Sequence, residues 1–240
     1  MKIRNVCISL ASKISKAEEL FAAKLGPALS RLDLSSVLCF HDIADDSAVV
    51  FAIRPDEFAK IIDRYGKSIG SFSDIAVHHK TGTAVSFDDG FLSTYRIAYP
   101  LLKQKGIPFI VYVATDFIGR PGYMTGEQIH ELAQDQDICT IGSHMCSHRK
   151  TREMSDREIR KEWADSKSIL EKITGRPVEH AALPYGSVAS CSGKSIRFGF
   201  EAGYRTVATT RALPFLGGRT IPRYVYQNNR PFLPVVPCSR

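Results

Sequence analysis

The chain has 240 residues, a length that fits one large α/β domain. With 44% hydrophobic and 24% charged residues, its composition excludes a disordered or fibrous protein. The net charge of +7 is spread along the chain without interleaved basic and aromatic motifs, so we expect no nucleic-acid partner.

Export and membrane signals are missing from the sequence pattern. The apolar run before Lys13 is shorter than the core of a signal peptide, and no stretch reaches the ~18 apolar residues of a transmembrane helix. The six cysteines are widely spaced, which favours reduced thiols over disulfides. We therefore predict a cytoplasmic protein with no transmembrane segment.

The hydrophobic pattern predicts a single domain over residues 1–240, in which residues 1–35 form a helical N-terminal extension. Strands are predicted at residues 35–43, 83–87, 108–114, 139–144, 178–186 and 204–210. Helices are predicted at residues 54–66, 91–106, 125–133, 155–175 and 192–204.

Several helix boundaries carry their own signals. Thr125 with Gln128, and Ser155 with Glu158, match the capping-box pattern at helix starts. Pro100 is predicted to kink the helix over residues 91–106. Repeated strand–helix alternation, with about seven units, predicts a parallel sheet that closes into a (β/α) barrel or nearly so.

Polar residues cluster in the sequence where the predicted strands end. Because the carboxyl ends of parallel strands meet at one edge of the fold, we expect these side chains to converge. They are His41, Asp42, Asp88, Asp89, His144, His148 and Tyr185.

His144 and His148 form an H-x-x-x-H pattern. If the chain turns helically there, both imidazoles share one face and bind one ion together with a carboxylate. Three protein ligands with open positions are typical of a catalytic metal site. The simpler interpretation is two solvent-facing histidines on a helix.

The adjacent Asp88 and Asp89 suit a division of labour beside such an ion. One carboxylate binds the cation, and the other acts as a base towards a metal-activated water. Taken alone, Asp-Asp-Gly is equally typical of a helix N-cap or a turn.

The order SFDDG, H-x-x-x-H and LPYG resembles the polysaccharide deacetylase family, the NodB-like members of carbohydrate esterase family 4. The resemblance runs from about residue 36 to about residue 224, and VLCFHDI is similar to the exopolysaccharide-deacetylase branch. It implies a distorted (β/α) barrel and metal-dependent removal of an N- or O-acetyl group from a sugar.

The resemblance also implies roles for individual residues. Asp88 matches the general base, and the backbone N–H of Tyr185 matches part of the oxyanion hole. His41 lies near the metal by the same resemblance. The implied metal ligands are Asp89, His144 and His148.

The sequence departs from the family pattern at three places. Met145 stands where Ser or Thr usually follows the first histidine, and Ala182 stands where an arginine often orients the base. Arg223 is our candidate for that orienting role. The late histidine that normally supplies the catalytic acid is also missing, so we expect His41 to take that part, with His180 as second choice.

Together these features predict a metal-dependent deacetylase that uses Zn²⁺, with Co²⁺, Ni²⁺ or Fe²⁺ also compatible with a His₂Asp set. The expected substrate is an N-acetylated sugar, an oligosaccharide, or a nucleotide- or lipid-linked sugar. Two alternatives stay open from the sequence: an amidohydrolase on a non-sugar amide or cyclic imide, and a non-catalytic sugar-binding homologue.

Overall fold

A computed structural model describes residues 36–45, 51–78, 80, 82–210 and 219–226. The predicted helical extension over residues 1–35 lies outside these residues, so that part of the domain prediction stays a prediction.

One parallel sheet forms the centre of the fold. Its strands are β1 (Ser36–Phe40), β2 (Thr83–Phe87), β3 (Phe109–Val113), β4 (Cys139–Ser143), β5 (His180–Ala182), β6 (Thr206–Thr209), β7 (Thr220–Pro222) and β8 (Tyr224–Val225). They follow the spatial order β7-β6-β5-β4-β3-β2-β1-β8, and all of the pairings are parallel.

The two outermost strands, β7 and β8, belong to one extended segment interrupted only at Arg223. β7 pairs with β6 at one edge of the sheet, and β8 pairs with β1 at the other. At the interruption, the Arg223 N–H donates to the Thr209 carbonyl at 2.9 Å. This segment, residues 220–225, therefore joins both edges of the sheet, and we call it the closing segment. If β7 and β8 are counted as one strand, the result is a nearly closed barrel of seven strands, which confirms the predicted distorted (β/α) barrel.

Helices pack around the outside of this sheet. They are α1 (Pro55–Tyr65), α2 (Tyr99–Lys105), α3 (Gly126–Gln134), α4 (Asp156–Thr174) and α5 (Gly193–Glu201). Across the described part of the chain, none of the helices has the length and apolar character that crossing a bilayer requires.

Both predicted capping boxes are confirmed. At the start of α3, the Gln128 N–H donates to Thr125 Oγ1 at 3.3 Å, and the Thr125 N–H donates to Gln128 Oε1 at 2.9 Å. Ser155 and Glu158 make the same reciprocal pair at the start of α4. Each box satisfies N–H groups that have no partner inside the helix, which fixes where the helix begins.

Pro100 differs in detail from its predicted role. A π-helical turn over Thr94–Ala98 precedes α2, and Pro100 lies in the first turn of α2 rather than inside a continuous α-helix. Proline is tolerated there because the N–H groups of the first turn have no acceptor within the helix. The residue therefore marks the change of helix type. Gly106, the last residue of the predicted helix, ends α2 in the left-handed conformation.

The pleat of the strands separates two apolar layers, because successive side chains point to opposite faces. Leu38, Val85 and Val111 face the helices and belong to the larger core. Val37, Ala84 and other side chains fill the barrel interior. The interior set is Val37, Phe72, Ile75, Ala76, Ala84, Ile110, Tyr112, Ala182, Ala208 and Ile221.

The described cysteines agree with the prediction of reduced thiols. Cys39, Cys139, Cys146 and Cys191 are all buried thiols. They act as small apolar side chains in the packing. Cys7 and Cys238 lie outside the described residues.

Candidate active site

Because side chains alternate between the two faces of a strand, some polar side chains point into the barrel at the carboxyl ends of its strands. Ala84 faces the interior, so Ser86 and Asp88 follow it on the same side two and four residues later. Cys39 follows Val37 in the same way, and Arg223 follows Ile221. The sheet register thus brings these residues from β1, β2 and the closing segment to one point.

Arg223 and Asp88 form a buried ion pair there. Arg223 Nη1 donates to Asp88 Oδ1, and the two side chains are 1% and 5% exposed. Burial alone would raise the pKa of the Asp88 carboxyl, but the Arg223 guanidinium, together with the nearby His144 and His41, outweighs this effect and holds the pKa well below its usual range. Asp88 is therefore ionised at neutral pH although it is buried.

Backbone strain is concentrated at this end of the barrel. In the described part of the chain, the non-glycine residues with positive φ are Asp89, Met145, His148 and Tyr185, with values of 54–68°. Such conformations cost free energy for residues with a Cβ and persist where the surrounding structure imposes them. All four belong to the three motifs that the sequence singled out.

Three side-chain atoms converge beside Asp88. Asp89 Oδ1 lies 3.0 Å from His148 Nε2 and 3.5 Å from His144 Nε2. All three atoms lie within 4.8 Å of one another, and Asp89 and His144 are buried. The left-handed turn at Asp89 directs its carboxylate to this group, while Asp88 keeps its inward direction.

His144 is held in the protonation state that metal binding requires. Its Nδ1 lies 2.9 Å from the carbonyl oxygen of Ala182, which can only accept, so Nδ1 carries the hydrogen and the Nε2 lone pair faces Asp89. Burial lowers the pKa of His144 to about 4, so the ring is neutral at neutral pH. A carbonyl behind a ligating imidazole is the usual support of a metal site.

The chemistry of the three donors fits a divalent ion. Asp89 Oδ1 is buried without a hydrogen-bond partner, because its 3.0 Å contact with His148 lacks hydrogen-bond geometry. A buried carboxylate oxygen in that state is costly unless a cation or a donor meets it. Two imidazole nitrogens and one carboxylate oxygen suit Zn²⁺ and related ions.

A second trio, Cys39, His41 and Asp88, also brings its ligand atoms within 4.8 Å of one another. Arg223 makes this group a poor cation site, since its guanidinium pairs with Asp88 and also donates to Cys39 Sγ at 3.4 Å. Burial raises the pKa of the Cys39 thiol well above its usual value, which disfavours the thiolate that a metal needs. Of the two trios, Asp89, His144 and His148 therefore fit a metal ion better.

The two candidates for the catalytic acid, His41 and His180, lie in different parts of the barrel. His41 follows β1 and presents a ring nitrogen within 4.8 Å of the Asp88 carboxylate, while its Nδ1 is buried without a partner. His180 begins β5, bonds to Thr206 Oγ1 at 3.0 Å and packs against Phe72. Only His41 is close to the site, and His180 is a packed residue.

Two further strand-end residues have clear local roles. Asp42 accepts a hydrogen bond from Ser93 Oγ at 2.7 Å and so fixes the turn after β1. Tyr185 has a left-handed backbone, its ring lies 4.8 Å from that of His148, and its carbonyl accepts from Thr210 Oγ1. Among the described residues, the Tyr185 N–H has no acceptor, which leaves it available to an external oxygen.

The segment between the two histidines is not helical, so the helical turn under which their convergence was considered is absent. Residues 144–150 are irregular, with left-handed backbone at Met145 and His148. Met145 is buried in the core between β4 and the helices. The i,i+4 spacing still brings the rings together, with centroids 5.1 Å apart, because two left-handed residues fold the loop back on itself.

Glu162 of α4 holds this loop and was missed by the sequence reasoning. Its carboxylate accepts from the Cys146 N–H at 2.8 Å, the Ser147 N–H at 2.9 Å and Ser147 Oγ at 2.6 Å. A signal was present, since Glu162 lies three residues after Ile159 and four before Ser166, on the buried face of α4. A charged residue on such a face predicts a set of donors opposite it.

The comparison with known proteins agrees with the barrel and its site. A polysaccharide deacetylase family model matches residues 77–207. The YxkH protein of Bacillus subtilis, named as a polysaccharide deacetylase, is 27% identical over 126 residues, which span 52% of this chain and 43% of that protein.

Solved structures show the same fold. IcaB from Ammonifex degensii superimposes with a TM-score of 0.70 at 26% identity, covering 82% of this chain and 93% of that chain. The deacetylase PplD of Streptococcus pyogenes, solved in complex with acetate, gives a TM-score of 0.69 at 20% identity, covering 81% and 92%.

The fold and the strand-end site define a NodB-like (β/α) barrel. The chain belongs to the polysaccharide deacetylase family, carbohydrate esterase family 4, as its motifs predicted.

We predict that Arg223→Met destabilises the fold by about 3–5 kcal/mol, because it leaves the buried Asp88 carboxylate without its cation. Urea unfolding measures the loss, and adding Asp88→Asn to the same chain restores part of it. Arg205→Gln is the matched control, since the Arg205–Glu179 pair is exposed and contributes about 0–1 kcal/mol. Equal losses for Arg223→Met and Arg205→Gln would contradict the importance of the buried pair.

We predict that Glu162→Ala weakens zinc binding about 10- to 100-fold, because the loop that carries His148 loses its support. Competition with a chromophoric chelator measures the dissociation constant. Asp165→Ala on the same helix removes only an exposed pair with Lys161 and serves as the control. Unchanged zinc affinity in Glu162→Ala would show that the loop holds its shape without this carboxylate.

Proposed function

We propose that this protein is a metal-dependent deacetylase that removes an N-acetyl or O-acetyl group from a sugar. One observation carries the proposal: a His₂Asp donor set lies directly beside a buried, ionised carboxylate. Family membership supports the reaction class.

Asp89, His144 and His148 would hold the metal, with Zn²⁺ the ion best suited to the set. A divalent ion held there would supply Lewis-acid chemistry, by lowering the pKa of a water molecule and polarising the acetyl carbonyl.

Asp88 is the general base in this proposal. Arg223 occupies Oδ1, so Oδ2 is the oxygen that faces the donor set, 3.6 Å from His144 Nε2. The carboxylate takes a proton from the attacking water as the new C–O bond forms. Because Arg223 keeps Asp88 ionised, the base is ready before substrate arrives.

The Tyr185 N–H would donate to the oxygen of the tetrahedral intermediate. Its backbone is held in place by the left-handed conformation and by the bond from Thr210 to its carbonyl. This arrangement fixes the direction of the N–H before the reaction, which is what makes such a donor effective.

His41 would return the proton to the leaving nitrogen. Burial lowers the pKa of His41, and the nearby Asp88 and Asp89 carboxylates oppose this effect. A neutral imidazole close to Asp88 can accept the proton that the base has taken and donate it as the C–N bond breaks. The products are acetate and a free amine on the sugar.

The proposal is tested by metal analysis together with acetate release from N-acetylated monosaccharides, oligosaccharides and nucleotide-linked sugars. We expect one equivalent of divalent metal and acetate release that stops after chelation and returns with added metal. Bound metal with no acetate from any sugar would move the assignment to a non-sugar amide. Neither metal nor acetate would indicate a non-catalytic homologue.

Asp88→Asn should retain stoichiometric metal while turnover falls by about 10²- to 10⁴-fold, the usual effect of losing a general base. His144→Ala should instead lose the metal. Metal content by elemental analysis and acetate release separate the two effects. Loss of metal in Asp88→Asn would overturn the roles assigned to the paired aspartates.

His41→Gln should lower kcat with metal content unchanged, since the leaving amine loses its proton donor. His180→Gln is the control, because His180 lies at the start of β5 against Phe72 and has no part in the proposed reaction. If His41→Gln turns over as fast as wild type, another group supplies the proton.

A further inference from the structure

A line of aromatic rings crosses the mouth of the barrel at the donor set. Ring centroids lie 4.8 Å apart for Tyr123 and Phe117, 5.8 Å for Phe117 and His148, and 4.8 Å for His148 and Tyr185. We call Tyr123, Phe117 and Tyr185 the ring shelf. One metal-site histidine therefore stands in the middle of the shelf, with aromatic surface on both sides.

Part of this surface is open to solvent. Tyr185 is 49% exposed, one of two exposed large apolar side chains among the described residues, and Phe117 and Tyr123 are half-buried. The packing of the core does not use the Tyr185 ring, although its backbone is held in a strained conformation. Exposed aromatic surface beside a site is typical of a binding platform.

Two of the shelf rings each have a cation beside them. The Arg120 guanidinium lies 5.4 Å from the centre of the Phe117 ring, and Lys150 Nζ lies 5.6 Å from the centre of the Tyr185 ring. Both residues are exposed, and neither forms an ion pair with a described carboxylate. The neighbouring Arg149 differs in this respect, since it pairs with Glu158 at 3.3 Å.

From these observations we propose that the ring shelf binds the sugar units flanking the acetylated one, and that Arg120 and Lys150 select substrates with negative charge on those units. This inference rests on the proposed deacetylase function and specifies its substrate class. Aromatic faces pack against the C–H faces of pyranose rings, and the two cations pair with a carboxylate or phosphate on the flanking sugar.

Two probes that differ only in charge test the proposal. One is an alternating N-acetylglucosamine–glucuronate tetrasaccharide, and the other is the same tetrasaccharide with its carboxylates methyl-esterified. The wild-type protein should bind and deacetylate the charged form better. The preference should shrink as NaCl is raised, because exposed charges are screened within about 10 Å at 0.1 M salt.

Single substitutions identify the groups responsible. Arg120→Gln and Lys150→Gln should each lower affinity for the charged probe about two- to fivefold and leave the neutral probe unchanged, as expected for one exposed ionic contact. Arg64→Gln is the matched control, since Arg64 also lies over a ring, that of Tyr65 in α1, far along the chain from the motifs. Phe117→Leu keeps an apolar side chain beside His148 and should weaken both probes about equally.

Isothermal titration calorimetry with the metal-free protein measures the affinity for each probe without any turnover. If no acetate is released but the charged probe binds better, the proposed function fails and the shelf assignment stands. Equal affinity for both probes, or equal loss of both in Arg120→Gln and Lys150→Gln, would overturn the inference whatever the activity.

Discussion

The buried ion pair between Arg223 and Asp88 is the constraint on which the site depends. Arg223 occupies the single interruption in the segment that joins the two edges of the sheet. The segment that closes the barrel therefore also brings the Arg223 guanidinium to the Asp88 carboxylate. Burial at that depth favours the neutral form of a carboxyl group, so the proposed role of Asp88 as a base depends on this ion pair.

Residues at the positions where the chain departs from the family pattern also contribute contacts around the site. Ala182 stands where relatives often carry an arginine, and its carbonyl orients His144 while its small side chain packs inside the barrel. The guanidinium reaches Asp88 from the closing segment instead. Met145 fills the core, and Glu162 supports the histidine loop from α4. Arg223 thus makes in this chain the contact with Asp88 that an arginine at the position of Ala182 would otherwise make.

Much of this arrangement follows from local sequence, and the remainder depends on tertiary packing. Capping boxes and strand alternation predicted the elements and placed Asp88 at a strand end, because both signals act over a few residues. The loop between the histidines could not be predicted, since no glycine or asparagine marks the left-handed turns at Met145 and His148. The strands of the closing segment could not be predicted from the hydrophobic pattern either, because they have only three and two residues. Arg223 was nevertheless found, through the family resemblance rather than the pattern.

The central claim is that Asp89, His144 and His148 form the metal site, and not the neighbouring trio that contains Cys39. X-ray absorption of the zinc-loaded protein tests this most directly, because Zn–S distances of about 2.3 Å are distinct from Zn–N and Zn–O distances of about 2.0–2.2 Å. We predict a first shell of nitrogen and oxygen with the multiple-scattering signature of two imidazoles. A sulfur scatterer at about 2.3 Å, or a single imidazole, would contradict the assignment.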